Sequence, residues 1–169
     1  MIIGEKDVTD AIKRISYADL RIGISKGILL VQESAKTACR SQTGELRGSI
    51  YTHVEGNGDV IRGTCFTNKK YATYVEFGTG PTGQANHTGI SPDVAVAYSQ
   101  SPWWIHEGSG ENEIDRETAE FYHFPCIETP QGRFYQCTGQ PAKPFMYPAL
   151  KNNEEKIIQI IKETARVTK

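Results

Sequence analysis

The chain has 169 residues, 38% of them apolar and 23% charged, which is enough for one hydrophobic core and excludes an intrinsically disordered chain. Its formal net charge of −1 excludes electrostatic capture of nucleic acid by the whole domain, because counterion release needs a concentrated basic face. No window approaches the roughly 18 uninterrupted apolar residues of a membrane span, and the start MIIGEKDVTD lacks a basic-then-apolar leader, so a soluble, unexported chain is expected.

In chain order, Asp7 stands as an N-cap ahead of Val8, Ile12 and Ile15, and Ser16 to Asp19 is a candidate break. Leu20, Ile24, Ile28, Val31, Ala35 and Ala38 then recur at steps of three and four, which predicts an amphipathic helix ending near Arg40. Gly23 and Gly27 weaken that helix by about 1 kcal/mol each relative to Ala. At a spacing of four they also leave a smooth strip that another backbone could approach. Ser49–Glu55 and Val60–Thr67 are β-prone runs separated by "GNGD", strong hairpin punctuation. "KKYATYVEFGTG" fits a short helix or a strand equally well, and Gly78 ends it in either case.

Residues 80–140 gather prolines and glycines in "GTGPTGQANHTGISPD" and "EGSGENEID", which read as loops. Between them "PWWIHE", "FYHFPCIE" and "GRFYQCTG" read as aromatic-rich strands, a second hairpin set. Trp103 and Trp104 are adjacent, so in a regular strand they face opposite ways and one is a candidate surface or interface ring. From 139 onward, Pro148 sits where a first helical turn tolerates it. Leu150, Ile157, Ile158, Ile161 and Ala165 predict one apolar face of a C-terminal amphipathic helix. The expected fold is α+β in a single domain: a helical region at 1–42, first strands and the YVEFGTG element at 43–80, an acidic loop and hairpin insertion at 81–140, and the last helix at 141–169. A small twisted antiparallel sheet would pack with the two long helices.

Candidate chemistries are thin. "GTGPTGQAN" has the glycines of a phosphate loop, but Pro81 lacks an amide donor and no Lys-Ser/Thr pair follows. Gly78 and Gly80 as a tight exit, with Thr79 capping its own turn, account for the stretch instead. A zinc site drawing on His53, His87, His106, His123 and the cysteines lacks the two close ligand pairs of structural sites. Cys39, Cys65, Cys126 and Cys137 are widely spaced and read as free thiols. Neither a nucleophile elbow nor a His-Glu-x-x-His helix occurs, and Glu76 has no nearby acidic partner. Glu76 reads as a surface or inter-subunit ion-pair group. No catalytic residue, cofactor or metal is assigned; a metal-dependent hydrolase using His87, His106 and His123 is the enzymatic alternative.

Three motifs occur in fixed order: "TGELRGSI" (Thr43 to Ile50), "YATYVEFGTG" (Tyr71 to Gly80) and "GQPAKPFMYPAL" (Gly139 to Leu150). Together they resemble the head-tail joining, or tail-completion, family of long-tailed double-stranded DNA bacteriophages. The resemblance implies a small non-enzymatic α+β subunit of the virion that assembles, in the host cytoplasm, into a ring with copies of itself. The ring would meet head-connector or tail-tube proteins at the head-tail interface, with double-stranded DNA passing through it without sequence-specific binding and with no membrane involved. A tail-tube or tail-terminator subunit is the alternative of the same kind.

Carried onto this chain, the resemblance gives Thr43, Gly44, Leu46 and Ser49 the helix-to-strand transition. Tyr74, Glu76, Phe77 and Gly78, with the adjoining Thr79, belong to a sheet-facing or subunit-facing element, and Pro144, Phe145 and Pro148 lock the last helix against it. Residues 81–140 exceed the compact family pattern and carry only Arg116 and Arg133 against eight acids. Glu111, Glu113, Asp115 and Glu117 in that block are candidate channel-facing acids that would repel the phosphate backbone, and a solvated acidic loop is the plain alternative.

Overall fold

A computed structural model describes residues 5–39, 44–57, 60–110 and 112–166. In chain order the elements are α1 (Glu5–Ala38), α2 (Glu45–Gly48), β1 (Ile50–Asn57), β2 (Val60–Thr67), α3 (Ala72–Phe77), α4 (Gly80–Ala85), β3 (Trp103–Glu107), β4 (Glu113–Ile114), α5 (Arg116–Phe121), β5 (Cys126–Thr129), β6 (Gly132–Cys137), α6 (Met146–Lys151) and α7 (Glu154–Arg166). The fold is α+β, as expected. The chain divides into two compact units, one formed by 1–72 with 144–169 and the other by 73–143.

In the first unit, α1 runs unbroken through Ser16 to Asp19, so the expected break is absent and Asp7 lies inside the helix rather than capping it. Nothing in Ser16-Tyr17-Ala18-Asp19 forbids helical backbone, and Tyr17 of this stretch, with Arg21 just after it, bonds the hairpin. The stripe that α1 buries is Gly23, Gly27, Val31 and Ala35, at steps of four and continued by Cys39 just past its end, while Leu20 and Ala38 are exposed. The two glycines therefore form part of the packed face. A Cβ on Gly23 would lie 3.0 Å from the Cα of Ile161, and one on Gly27 would lie 2.8 Å from Ile157 Cγ2. Their absence lets α7 approach α1 closely, which offsets their poor helix propensity. A neighbouring face of α1 carries Ile24 and Ile28, which meet the hairpin at Gly63.

The hairpin pairs β1 with β2 through eight consecutive partners from Ile50↔Thr67 to Asn57↔Val60. Exposure alternates along β2, with Ile61, Gly63, Cys65 and Thr67 on the side of α1. The single C-terminal helix expected from the sequence is two helices, interrupted at Asn152 and Asn153. Buried Asn153 donates from Nδ2 to the Ala149 carbonyl (2.8 Å), and its own carbonyl accepts from Ile157 N–H (2.9 Å). The break rotates the apolar face: Ile157 and Ile161 meet α1, whereas Leu150 and Ile158 are exposed and do not share that face. The side chain of Ala165 lies outside the described residues.

In the second unit the strand order is β4-β3-β6-β5, with β3–β4 parallel and the other pairs antiparallel. Three elements differ from the loops and strands expected there. The glycine-rich start of the block is helix α4, with Pro81 in its first turn, where a missing N–H costs nothing. Residues 113–114 form β4 inside the acidic loop. "FYHF" closes α5 rather than opening a strand, because Asp115 accepts the Thr118 N–H and starts a helix upstream of it. Trp103 and Trp104 are both partly exposed, so neither is a core residue.

Candidate functional site: a backbone clasp and three exposed faces

The stretch "YVEFGTG" meets "TGQPAK" inside the second unit, across about sixty residues of sequence. Thr79 N–H bonds the Gln140 carbonyl (2.9 Å), Thr82 N–H bonds that of Thr138 (3.0 Å), and Lys143 N–H bonds that of Val75 (2.8 Å). Side chains reinforce the join: Gln140 N–H donates to Thr79 Oγ1 (3.1 Å), and Gln140 Nε2 donates to the Tyr74 carbonyl (2.9 Å). The two segments lie so close that a Cβ on Gly139 would sit 1.9 Å from the Thr79 oxygen, and one on Gly78 2.7 Å from Ala142 N. Both glycines also hold positive φ, +86° and +74°, which L side chains rarely adopt. The clasp thus ties the entry of the second unit to its exit. Thr79 precedes α4 without a side-chain cap bond and spends its hydroxyl on Gln140 instead.

Within this element Tyr74 is exposed and Phe77 half-buried, with the Phe77 carbonyl accepting from Tyr98 OH (2.7 Å). Glu76 is only 6% exposed. The surface placement expected for it does not hold: α3 is helical, and its buried side carries Ala72 and Glu76, four residues apart.

In the first unit Thr43 lies outside the described residues. Gly44 precedes α2 with φ +74°, and Leu46 is buried. Buried Ser49 donates to the Leu46 carbonyl (2.8 Å) and shares a 2.7 Å hydrogen bond with Thr67 Oγ1, fixing the α2–β1 corner to the end of β2. Phe145 is 1% exposed and precedes α6, and Pro148 lies in its first turn, where its carbonyl accepts from Asn152 N–H. Glu45 pairs with Lys69, whose ammonium holds its carboxyl below the usual range.

Of the four acids singled out, Glu111 lies outside the described residues. Glu113 accepts from Gly110 N–H (2.8 Å) and faces His106 Nδ1 (3.2 Å), and these bonds hold its carboxyl below the usual range. Asp115 caps α5, and the Thr118 N–H (2.8 Å) and hydroxyl (2.7 Å) lower its pKa. Glu117 is exposed in the first turn of α5. Two of the acids therefore have local structural partners.

The feature that sequence reading missed is centred on Glu107. Arg116 donates to both of its oxygens (3.2 and 3.0 Å), buried Tyr135 donates its hydroxyl to Oε2 (2.5 Å), and Arg133 Nη1 stands 3.8 Å away. The Arg116 bonds, then that of Tyr135, depress the Glu107 pKa. The only signal for this knot was that Arg116 and Arg133 are the sole Lys or Arg residues of the acidic block; Arg116 goes to Glu107, and Arg133 approaches Glu107 while its Nη2 donates to Glu128.

His87 stacks on Tyr98 (5.8 Å) and His106 meets the edge of Phe134 (5.0 Å), so these histidines sit in separate environments. Among the described residues no three His, Cys, Asp or Glu side chains gather into a metal-holding group, and the four cysteines are free thiols. An open depression of about 440 Å³ at the hairpin tip is lined by Glu55, Gly56, Val60 and Arg62. Its acid and base stand 4.0 Å apart and oppose each other's charge.

The more developed features are exposed faces. The outer face of the hairpin carries Tyr51 against Phe66 (6.1 Å between rings) and Val60. In the second unit Phe121 and Tyr122 form an edge-to-face pair (5.0 Å), and Trp103 and Trp104, successive residues of β3, are each exposed as separate rings. No described helix is long and apolar enough to cross a membrane.

These features define a small α+β chain whose described residues present exposed aromatic faces and one open depression. Within that class, residues 7–78 match the model of the family described as "Bacteriophage HK97-gp10, putative tail-component". The match agrees with the resemblance to the head-tail joining, or tail-completion, family. It covers less than half of the chain, taking in α1, the hairpin and α3, and it ends at Gly78. Neither the curated proteins nor the solved structures give a significant match.

Proposed function

We propose that the chain is a structural subunit of a tailed bacteriophage that forms or completes the ring at the head-tail junction or the top of the tail, through which DNA passes. The observation that carries this reading is the match of residues 7–78 to a phage tail-component family. The exposed aromatic groups support it physically, since a cyclic assembly would cover apolar surface that a lone monomer leaves in water. Its partners in this reading are further copies of itself and head-connector or tail-tube proteins, and its work involves no catalysis. The family's description as a tail component favours the tail side of the junction, which keeps a tail-terminator subunit as the second reading.

The test is a phage lacking this gene product. Filled heads and separate tails that fail to join, restored by adding the purified chain, with rings seen by electron microscopy on mixing with tail proteins, are the expected outcome. Normal joined particles without it would overturn the proposal. The acidic block is assigned to the channel wall in the same reading. Because Asp115 and Glu113 also hold local structure, the clean probe is Glu117→Gln, expected to leave assembly intact and slow DNA release by less than about twofold. Replacement of Glu111 and Glu117 together should slow it further. Unchanged ejection kinetics for the double variant would remove the acids from the channel.

A further inference from the structure

The two edges of the β1–β2 hairpin are treated differently. Along β1 the backbone is covered by side chains of α1: Gln32 Nε2 donates to the Ile50 carbonyl (2.7 Å), Arg21 Nη2 to that of Val54 (3.2 Å), and the Tyr17 hydroxyl to that of Gly56. These three carbonyls all belong to even-numbered residues, so the even positions of β1 point their backbone groups away from β2, and the odd ones form the ladder. By the register Thr52↔Cys65, Val54↔Gly63 and Gly56↔Ile61, the residues of β2 that point outward are Ile61, Gly63, Cys65 and Thr67. The backbone groups of Ile61, Gly63 and Cys65 have no hydrogen-bond partner among the described residues.

β2 also lacks the devices that blunt an open edge. It contains no proline and no lysine, its eight pairs run without a bulge, and its one charge, Arg62, stands on the outer face rather than the edge. A hairpin of two strands gains strongly from further strands. We infer that in the free protein the β2 edge is paired with the β2 edge of a second copy, antiparallel about a two-fold axis at Thr64, giving a four-stranded sheet.

The register follows from the outward set. Ladder bonds can form only between residues whose backbone groups point outward, and the alignment that uses all four sets Ile61 opposite Thr67 of the second copy and Gly63 opposite Cys65 of the second copy. On the outer face it sets Arg62 beside Phe66 of the second copy, twice, and Thr64 opposite Thr64 of the second copy. Arg over an aromatic ring and Thr facing Thr are both favourable cross-strand pairs, and no like charges face each other. The edge is therefore complementary to itself, which selects a second copy over an unrelated strand. An isologous contact of this kind closes at two copies. It hides the edge of the free chain rather than propagating around a ring, and it stands or falls independently of the virion role.

The test uses the purified full chain alone. Sedimentation or light scattering should give a dimer for the parent, and Thr64→Glu, which sets two carboxylates face to face, should weaken it about tenfold or more. Thr64→Cys lies at a non-ladder pair, where Cα atoms stand about 4.5 Å apart, within disulfide reach. Mild oxidation should give a covalent dimer whose bridge maps by peptide mass to the introduced thiols. His53→Cys, on the same face but on the covered strand, should give none. Circular dichroism like that of the parent shows that the variants fold. A monomeric parent at tens of micromolar, a dimer indifferent to Thr64→Glu, or bridging equal in the Thr64 and His53 variants would overturn the inference.

Discussion

Residues 1–72 with 144–169 hold together through side chains, whereas residues 73–143 hold together largely through backbone. Of the ten buried apolar residues among those described, eight (Val31, Ala35, Cys39, Leu46, Ile50, Ala72, Phe145 and Ala149) belong to the first unit, and only Ala119 and Tyr135 to the second. The second unit compensates with the hydrogen-bonded clasp between 75–82 and 138–143 and with the ion and hydroxyl knot on Glu107. The two kinds of adhesion fail differently. Side-chain cores respond to lost volume, and backbone clasps respond to added volume.

The largest expected effect is therefore in the first unit. Phe145→Ala removes its largest fully buried side chain and should cost about 3–5 kcal/mol, lowering hydrogen-exchange protection in α1, α7 and the hairpin. If protection in α1 were unchanged, Phe145 would not belong to that core.

Next comes the opposite operation on the clasp. Gly139→Ala adds one methyl where a Cβ would meet the Thr79 oxygen at 1.9 Å and where φ is +86°. The steric shift and the left-handed strain together should cost about 3 kcal/mol. Both tryptophans lie on β3 in the second unit, so their fluorescence reads this loss. A fluorescence midpoint equal to that of the parent would show that the segments separate without penalty.

The same contrast explains what could be read in advance. Helix α1 and both hairpin strands were legible, because burial of side chains leaves a period of 3.6 or 2 in the residue order, although the buried stripe of α1 takes in Gly23 and Gly27, which carry no apolar signal, and leaves out Leu20 and Ala38. Even there, Asn153 turned one expected helix into two, and Leu150 and Ile158 proved exposed, because a single buried amide reset the phase of the stripe. The clasp left no period. Its contacts are amides and carbonyls, which every residue has, and its only trace was the glycine in "FGTG" and in "TGQP". The role of Glu107 was hidden for a related reason: Arg116 and Arg133 reach it from α5 and β6, nine and twenty-six positions away. No local spacing encodes such a meeting. Glu76 was misplaced because its surface placement assumed that an acid amid aromatics faces water, whereas the helix phase of α3 turns it inward.

The smallest effect separates the units by pH. In the second unit Glu107, Glu113 and Asp115 all have carboxyls held below the usual range, by Arg116, by the Gly110 amide and by the Thr118 amide respectively, whereas in the first unit Glu45 is held so by Lys69. A carboxyl whose pKa is lower folded than unfolded adds stability that is complete above the ordinary value of about 4. That stability is lost as pH falls through the depressed folded value. Acidification from about pH 5 to 3 should therefore weaken the second unit more than the first, with tryptophan fluorescence changing before α1 loses exchange protection. These groups face solvent, so each contribution is small and should shrink further in salt. Asp115→Ala removes one of them along with the α5 cap; it should lower the stability of the second unit slightly at neutral pH and show a shallower acid dependence than the parent. If both units lost structure at one pH, with equal steepness in parent and variant, the depressed carboxyls would not be what distinguishes them.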